Sequence, residues 1–192
     1  ASDLRKPESE VDTTEIMVVV SEANHTIKHL KKWMKSQKVP TPMALTGTSG
    51  RVTYEPKGVC LIIAPWNYPI NLMLGPLMAA ISAGNTAMLK PSEVAPATAA
   101  LLGKIVRECF EENEVALFEG DVDVAQTLLA LPFDHSFFTG SPAVGKLVMA
   151  AAAKHLTSVT LELGGKSPVI VDETANLKKT AGSLALGKYT NN

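Results

Sequence analysis

Val59-Cys60-Leu61-Ile62-Ile63-Ala64-Pro65-Trp66-Asn67-Tyr68-Pro69 is the stretch on which the fold turns. Its first six residues are apolar without a break, which is the character of a strand buried on both faces of a sheet. Pro65 closes the run, and Pro69 opens a helical pattern to about residue 83, where Gly84-Asn85 stops it. Outward from this unit the alternation repeats. Strands are expected at 52–55, 87–89, 115–118, 136–138 and 159–163, and helices at 96–110, 122–131 and 142–155. Strand–helix alternation at this spacing predicts an α/β fold, an open parallel sheet covered by helices on both faces.

Two flanks differ from this centre. Residues 1–50 open on an acidic stretch and continue into an amphipathic pattern. Ile16, Val19, Val20, Ala23, Ile27, Leu30 and Met34 recur at three- and four-residue steps and are expected to pack on the core. Lys28, Lys31, Lys32 and Lys35 are expected in solvent, and Pro40 and Pro42 break the helix. Residues 167–192 start a new unit, with a strand expected at 168–171 and a helix at 177–189. One strand and one helix bury no core alone. The expected division is therefore an N-terminal helical segment (1–50), a central domain (51–166) and an incomplete beginning of a second α/β domain (167–192).

The 192 residues carry 18 Lys+Arg against 19 Asp+Glu, so the net charge of −1 points to neither nucleic acid nor a basic partner. Two cysteines, Cys60 and Cys109, are too few for a disulfide scaffold, and both read as packed thiols. No apolar run reaches the ~20 residues of a membrane helix. Ala1-Ser2-Asp3-Leu4-Arg5-Lys6-Pro7 has no apolar stretch behind its charges, so no signal peptide is read and a cytoplasmic location is expected. His25 and His29 are spaced i, i+4 but have no third ligand, so no metal is expected.

Four segments can carry chemistry, each with a plainer reading beside it. Asn67 follows the most buried strand, where open parallel sheets place ligands, and is either a neutral donor to an oxyanion or a cap of the next helix. Lys90 and Glu93 follow the 87–89 strand, either gripping ribose hydroxyls or forming a solvated pair. Phe138-Thr139-Gly140-Ser141-Pro142-Ala143-Val144-Gly145-Lys146 joins a strand to a helix. It is either a turn whose helix N-terminus receives a phosphate or a Gly-rich turn with a Ser cap. Glu162 interrupts the apolar 159–163 strand before Gly164-Gly165. It is either a general base raised in pKa by apolar surroundings or a solvated residue placed by alternation.

Pro65-Trp66-Asn67-Tyr68-Pro69, Lys90-Pro91-Ser92-Glu93, Phe138-Thr139-Gly140-Ser141 and Leu161-Glu162-Leu163-Gly164-Gly165-Lys166-Ser167-Pro168, in this order, resemble the aldehyde dehydrogenase superfamily. Tyr54-Glu55-Pro56-Lys57-Gly58-Val59 and Ala151-Ala152-Ala153-Lys154-His155-Leu156 are similar to its class 3 branch, which acts on fatty and aromatic aldehydes. The resemblance covers essentially the whole chain. It implies a Rossmann-like NAD-binding domain and oxidation of an aldehyde to a carboxylic acid by NAD(P)+, through a cysteine thioester. It implies Asn67 in the oxyanion hole and Glu162 as general base. It also implies Trp66, Lys90 and Glu93 on the adenosine half, and Gly140, Ser141 and Gly145 at the pyrophosphate turn. NAD is preferred to NADP because Glu93 repels a 2′-phosphate. The expected partners are a small aldehyde and, for the full-length enzyme, a second copy in a homodimer. The family's nucleophile is expected beyond Asn192, so the 192 residues alone are expected to be inactive. A non-catalytic nucleotide-binding module or an inactive folded fragment is the alternative. Membrane attachment through a C-terminal tail is left undecided.

Overall fold

The computed structural model describes residues 2–191. Its centre is a five-stranded parallel sheet of β3 (Val59–Ile63), β4 (Thr86–Lys90), β5 (Val115–Leu117), β6 (His135–Gly140) and β7 (Ser158–Leu163), in the order β5-β4-β3-β6-β7. The most apolar strand, β3, is central. From it the chain steps outward through β4 to β5, then returns to lay β6 on the other side of β3. The carboxyl ends of β3 and β6 therefore flank the point where the winding direction reverses, the place where open α/β sheets leave a crevice.

Alternation along β3 divides the core. Ile62 and Ala64 face α3 (Asn71–Ser82) and α4 (Pro96–Cys109), burying Met73, Leu77, Leu102 and Val106. Leu61 faces the other way, against Leu128 of α5 (Val122–Leu129) and Phe133. α6 (Pro142–Ala153) lies beside α5 and packs on β6 and β7 through Val148 and Ala152. Gly84, at φ +83°, ends α3 in the left-handed region that a side chain would resist.

The flanks depart from expectation. The N-terminal helix starts earlier, at α1 (Glu8–Val11), and passes through a π turn at Asp12–Ile16 into α2 (Met17–Trp33). It packs on α3, but not through the whole apolar stripe. Val19, Ala23 and Leu30 are half-buried, whereas Ile16, Val20, Ile27 and Met34 are exposed, and the deepest side chain is Glu15. The buried stripe runs Val19, Ala23, Thr26, Leu30 at regular three- and four-residue steps, so the stripe read from apolarity is too wide, and Val20, Ile27 and Met34 fall on its solvent side. An unforeseen strand, β1 (Gln37–Val39), pairs antiparallel with β2 (Gly50–Val52). Residues 168–171 form no strand, since no neighbour supplies ladder hydrogen bonds, and Ile170 is 94% exposed. The helix expected at 177–189 is present as α7 (Leu177–Tyr189), with no buried residue.

Candidate active site at the sheet switch point

A cavity of about 830 Å³ opens at the switch point. Trp66 and Asn67 enter it from the loop after β3, Gly140 and Ser141 from the turn after β6, and Glu162 from β7. Leu72, Gly75 and Pro76 of α3 form the opposite wall. Pro76 lacks the N–H that would close the helical bond to Leu72, which loosens the α3 turn facing the cavity.

Asn67 does not cap α3. That task falls to Glu15, 2% exposed, whose Oε2 accepts from the N–H groups of Ile70 (2.7 Å) and Asn71 (3.3 Å). A buried carboxylate on two free helix-start donors has a satisfied charge. Nothing local announces Glu15, because its partners lie 55 and 56 residues away. Asn67 is left half-buried with its side chain on the cavity.

At the β6–α6 turn the Ser-cap reading is the one seen in the structure. Ser141 caps α6 by accepting from the Val144 N–H at 3.3 Å, and the helix start opens at the rim. Gly145 lies away from the cavity. Its role is close approach, for a Cβ there would stand 2.8 Å from Leu163 Cδ2, and its N–H donates to the Ser141 carbonyl at 2.9 Å. Thr139, not foreseen as a site residue, lines the cavity with its Oγ1 buried and without a partner among the described residues. Such an orphaned polar atom suits a wall that meets a polar ligand.

Lys90 and Glu93 are neither a fully solvated pair nor part of this cavity's lining. Lys90 is 3% exposed, and its ammonium donates to the Pro91 carbonyl (2.7 Å) and to Glu93 Oε2 (3.2 Å). Glu93 reaches solvent, with its pKa lowered. A hydrogen bond from its own N–H is the largest cause, burial opposes it, and Lys90 adds to the lowering. Glu162 is exposed on the stripe Ser158, Thr160, Glu162, so the described residues do not give it the apolar enclosure expected for a raised general base. No thiol lines the cavity. Cys60 is buried in β3, where burial first and the charge of Asp134 second push its pKa up. Cys109, expected to be packed, is exposed at the end of α4.

Among the described residues, no three His, Cys, Asp or Glu side chains converge as metal ligands, and no helix is long and apolar enough to cross a membrane. His25 and His29 instead lie with ring centroids 4.1 Å apart and planes tilted by 31°.

The family model for the "aldehyde dehydrogenase family" matches residues 1–192. An Arabidopsis thaliana relative, aldehyde dehydrogenase family 3 member H1, is 44% identical over 97% of this chain and 39% of its own length. The solved structure of a Staphylococcus aureus AldH in a substrate-bound state is 47% identical over 99% of this chain and 42% of that one, with a TM-score of 0.97. A Mycobacterium tuberculosis aldehyde dehydrogenase in complex with NAD+ is 31% identical over 92% of this chain and 36% of that one, with a TM-score of 0.81. The chain thus spans about two-fifths of the length of the curated relatives it matches. Matched from end to end by the family model, and sharing nearly half its residues with a solved member of the same backbone shape, it belongs to the aldehyde dehydrogenase family.

Proposed function

We propose that this chain forms the cofactor-binding part of a class 3-type aldehyde dehydrogenase, which oxidises an aldehyde to a carboxylic acid with NAD(P)+. The convergence of Asn67, the Gly140–Ser141 turn and Glu162 on one switch-point cavity carries this reading. The residues suit a dinucleotide. The α6 start offers the Ala143 N–H and the positive end of a helix dipole to a pyrophosphate. Gly145 lets α6 approach β7, and Thr139 Oγ1 awaits a polar partner. The cofactor, when bound, supplies the hydride acceptor. Asn67 donates its side-chain amide to the aldehyde oxygen as negative charge develops there. Glu162 takes a proton from the thiol or from the hydrolytic water once further protein encloses it. Trp66, Lys90 and Glu93 hold the adenosine half, Lys90 by fixing Glu93 rather than by touching the ribose. The nucleophilic thiol comes from outside these residues, since neither Cys60 nor Cys109 reaches the cavity.

Glu93, kept anionic by its own N–H and Lys90, favours NAD over NADP by repelling a 2′-phosphate. The exposed apolar side chains of β1, β2 and α7 suit the homodimer of the complete enzyme. Calorimetric titration of the 192-residue chain with NAD+ tests the binding half. Saturable binding is expected, tighter than for NADP+, with Glu93→Gln narrowing the gap. The chemical half is tested in the full-length chain, where Asn67→Ala is expected to lower kcat about 10²–10³-fold. An absence of NAD+ binding, or an unaltered kcat, refutes the corresponding half.

A further inference from the structure

We propose that residues 3–15 form a positioning strap, with Lys6 and Glu15 holding Asn67 at the angle its reaction needs. The inference rests on the reading of Asn67 as an oxyanion donor. Lys6 is buried, and its Nζ donates to the Asn67 carbonyl at 2.5 Å. The same ammonium stands 4.0 Å from the centroid of the Tyr68 ring, where a desolvated cation over a π face is held strongly. No other hydrogen bond reaches Asn67 among the described residues, so Lys6 is its one polar tether. Glu15 grips the next turn through Ile70 and Asn71. Asp3 anchors the strap's other end. Its carboxylate accepts from the Ala97 N–H (3.0 Å), the Thr98 N–H (2.8 Å) and the Thr98 hydroxyl (2.7 Å).

Thus one N-terminal segment ties the loop after β3 to the start of α4. A hydrogen-bonding network of buried charges is an expensive way to stabilise a surface strap and a good way to fix one geometry. Between Pro65 and Pro69 the hydrogen bonds to the loop backbone are the one from Lys6 to Asn67 and the one from the Leu72 N–H to the Tyr68 carbonyl. A shift of about 1 Å in a catalytic donor lowers rate by up to ~10²-fold without altering the chemistry. Lys6 and Glu15 are accordingly positioning residues that act through Asn67.

The test is a double-mutant cycle in the full-length chain. Lys6→Met is expected to lower kcat between about ten- and a hundredfold, with the NAD+ dissociation constant unchanged and Lys6→Arg restoring most of the rate. In an Asn67→Ala background, Lys6→Met is expected to cause no further loss, whereas a merely structural role would lower both backgrounds alike. Equal losses in the two backgrounds overturn the proposal, as does an unchanged kcat for Lys6→Met where Asn67→Ala is impaired. If Asn67→Ala itself keeps full kcat, the reading of Asn67 fails and the strap's role falls with it. Should Lys6→Met not fold, Glu15→Gln serves the same cycle, since it keeps the shape and weakens the grip on Ile70 and Asn71.

Discussion

At the scale of single residues, His135 shows how burial and neighbours set a protonation state. Ser158 Oγ donates to the Asp134 carbonyl at 3.0 Å, so it accepts from Lys57 Nζ (3.1 Å) and from His135 Nδ1 (2.8 Å). Nδ1 therefore carries the ring proton, and Nε2 accepts from Thr160 Oγ1 at 3.1 Å. Burial, and then the charge of Lys57, lower the His135 pKa. A base lowered by folding takes up its proton more readily when unfolded. Its stabilising effect is full above the ordinary histidine value of about 6.5 and is lost as pH falls from there through the folded value. Thermal unfolding at pH 7.5 and 5.5 checks this. The wild-type Tm is expected to fall more between these pH values than that of His135→Gln, and equal falls would reject it. The local pattern showed His135 only as a strand start, because Lys57 and Ser158 reach it from other parts of the chain.

Helices and strands carry the site by how closely they approach. α6 meets β7 at Gly145, where an added Cβ meets the end of the flexible, partly exposed Leu163 side chain. Gly145→Ala is therefore expected to change stability by less than about 1 kcal/mol, since Leu163 can turn away and alanine favours helix. Gly145→Leu cannot be absorbed so easily. It is expected to cost about 1–3 kcal/mol by overpacking and to weaken NAD+ binding at least tenfold by lifting the α6 start from the rim. Urea unfolding together with NAD+ titration separates the two effects. A Gly145→Leu variant with wild-type affinity would show that α6 does not need its close seat. The glycine itself was legible as part of the turn, but its role was not, because Leu163 comes from the neighbouring strand.

For the whole molecule the question is what the folded surface leaves uncovered. Ile170, Leu177, Leu186 and Tyr189 lie exposed along 167–191, and Met43 and Leu45 between β1 and β2 are exposed as well. Exposed large apolar side chains of this kind favour association, because burying them removes apolar area from water. The 192-residue chain is expected to self-associate, its sedimentation coefficient rising with concentration and falling back on addition of a mild non-ionic detergent. A concentration-independent monomer would refute this.

The sequence by itself determined the parallel α/β sheet, because its signals are local. An unbroken apolar run makes β3, prolines and caps bound α4 and α6, and turn residues follow each strand. It also determined that Asn67, the Gly140 turn and Glu162 follow or end strands, which in a parallel sheet brings them to one rim. Tertiary structure alone decided which face of the N-terminal helix is buried, that residues 168–171 have no strand partner, and that Lys90 is buried. It alone showed that Lys6 and Glu15 hold the Asn67 loop. These outcomes depend on contacts between residues far apart in the chain, which no local period or cap encodes.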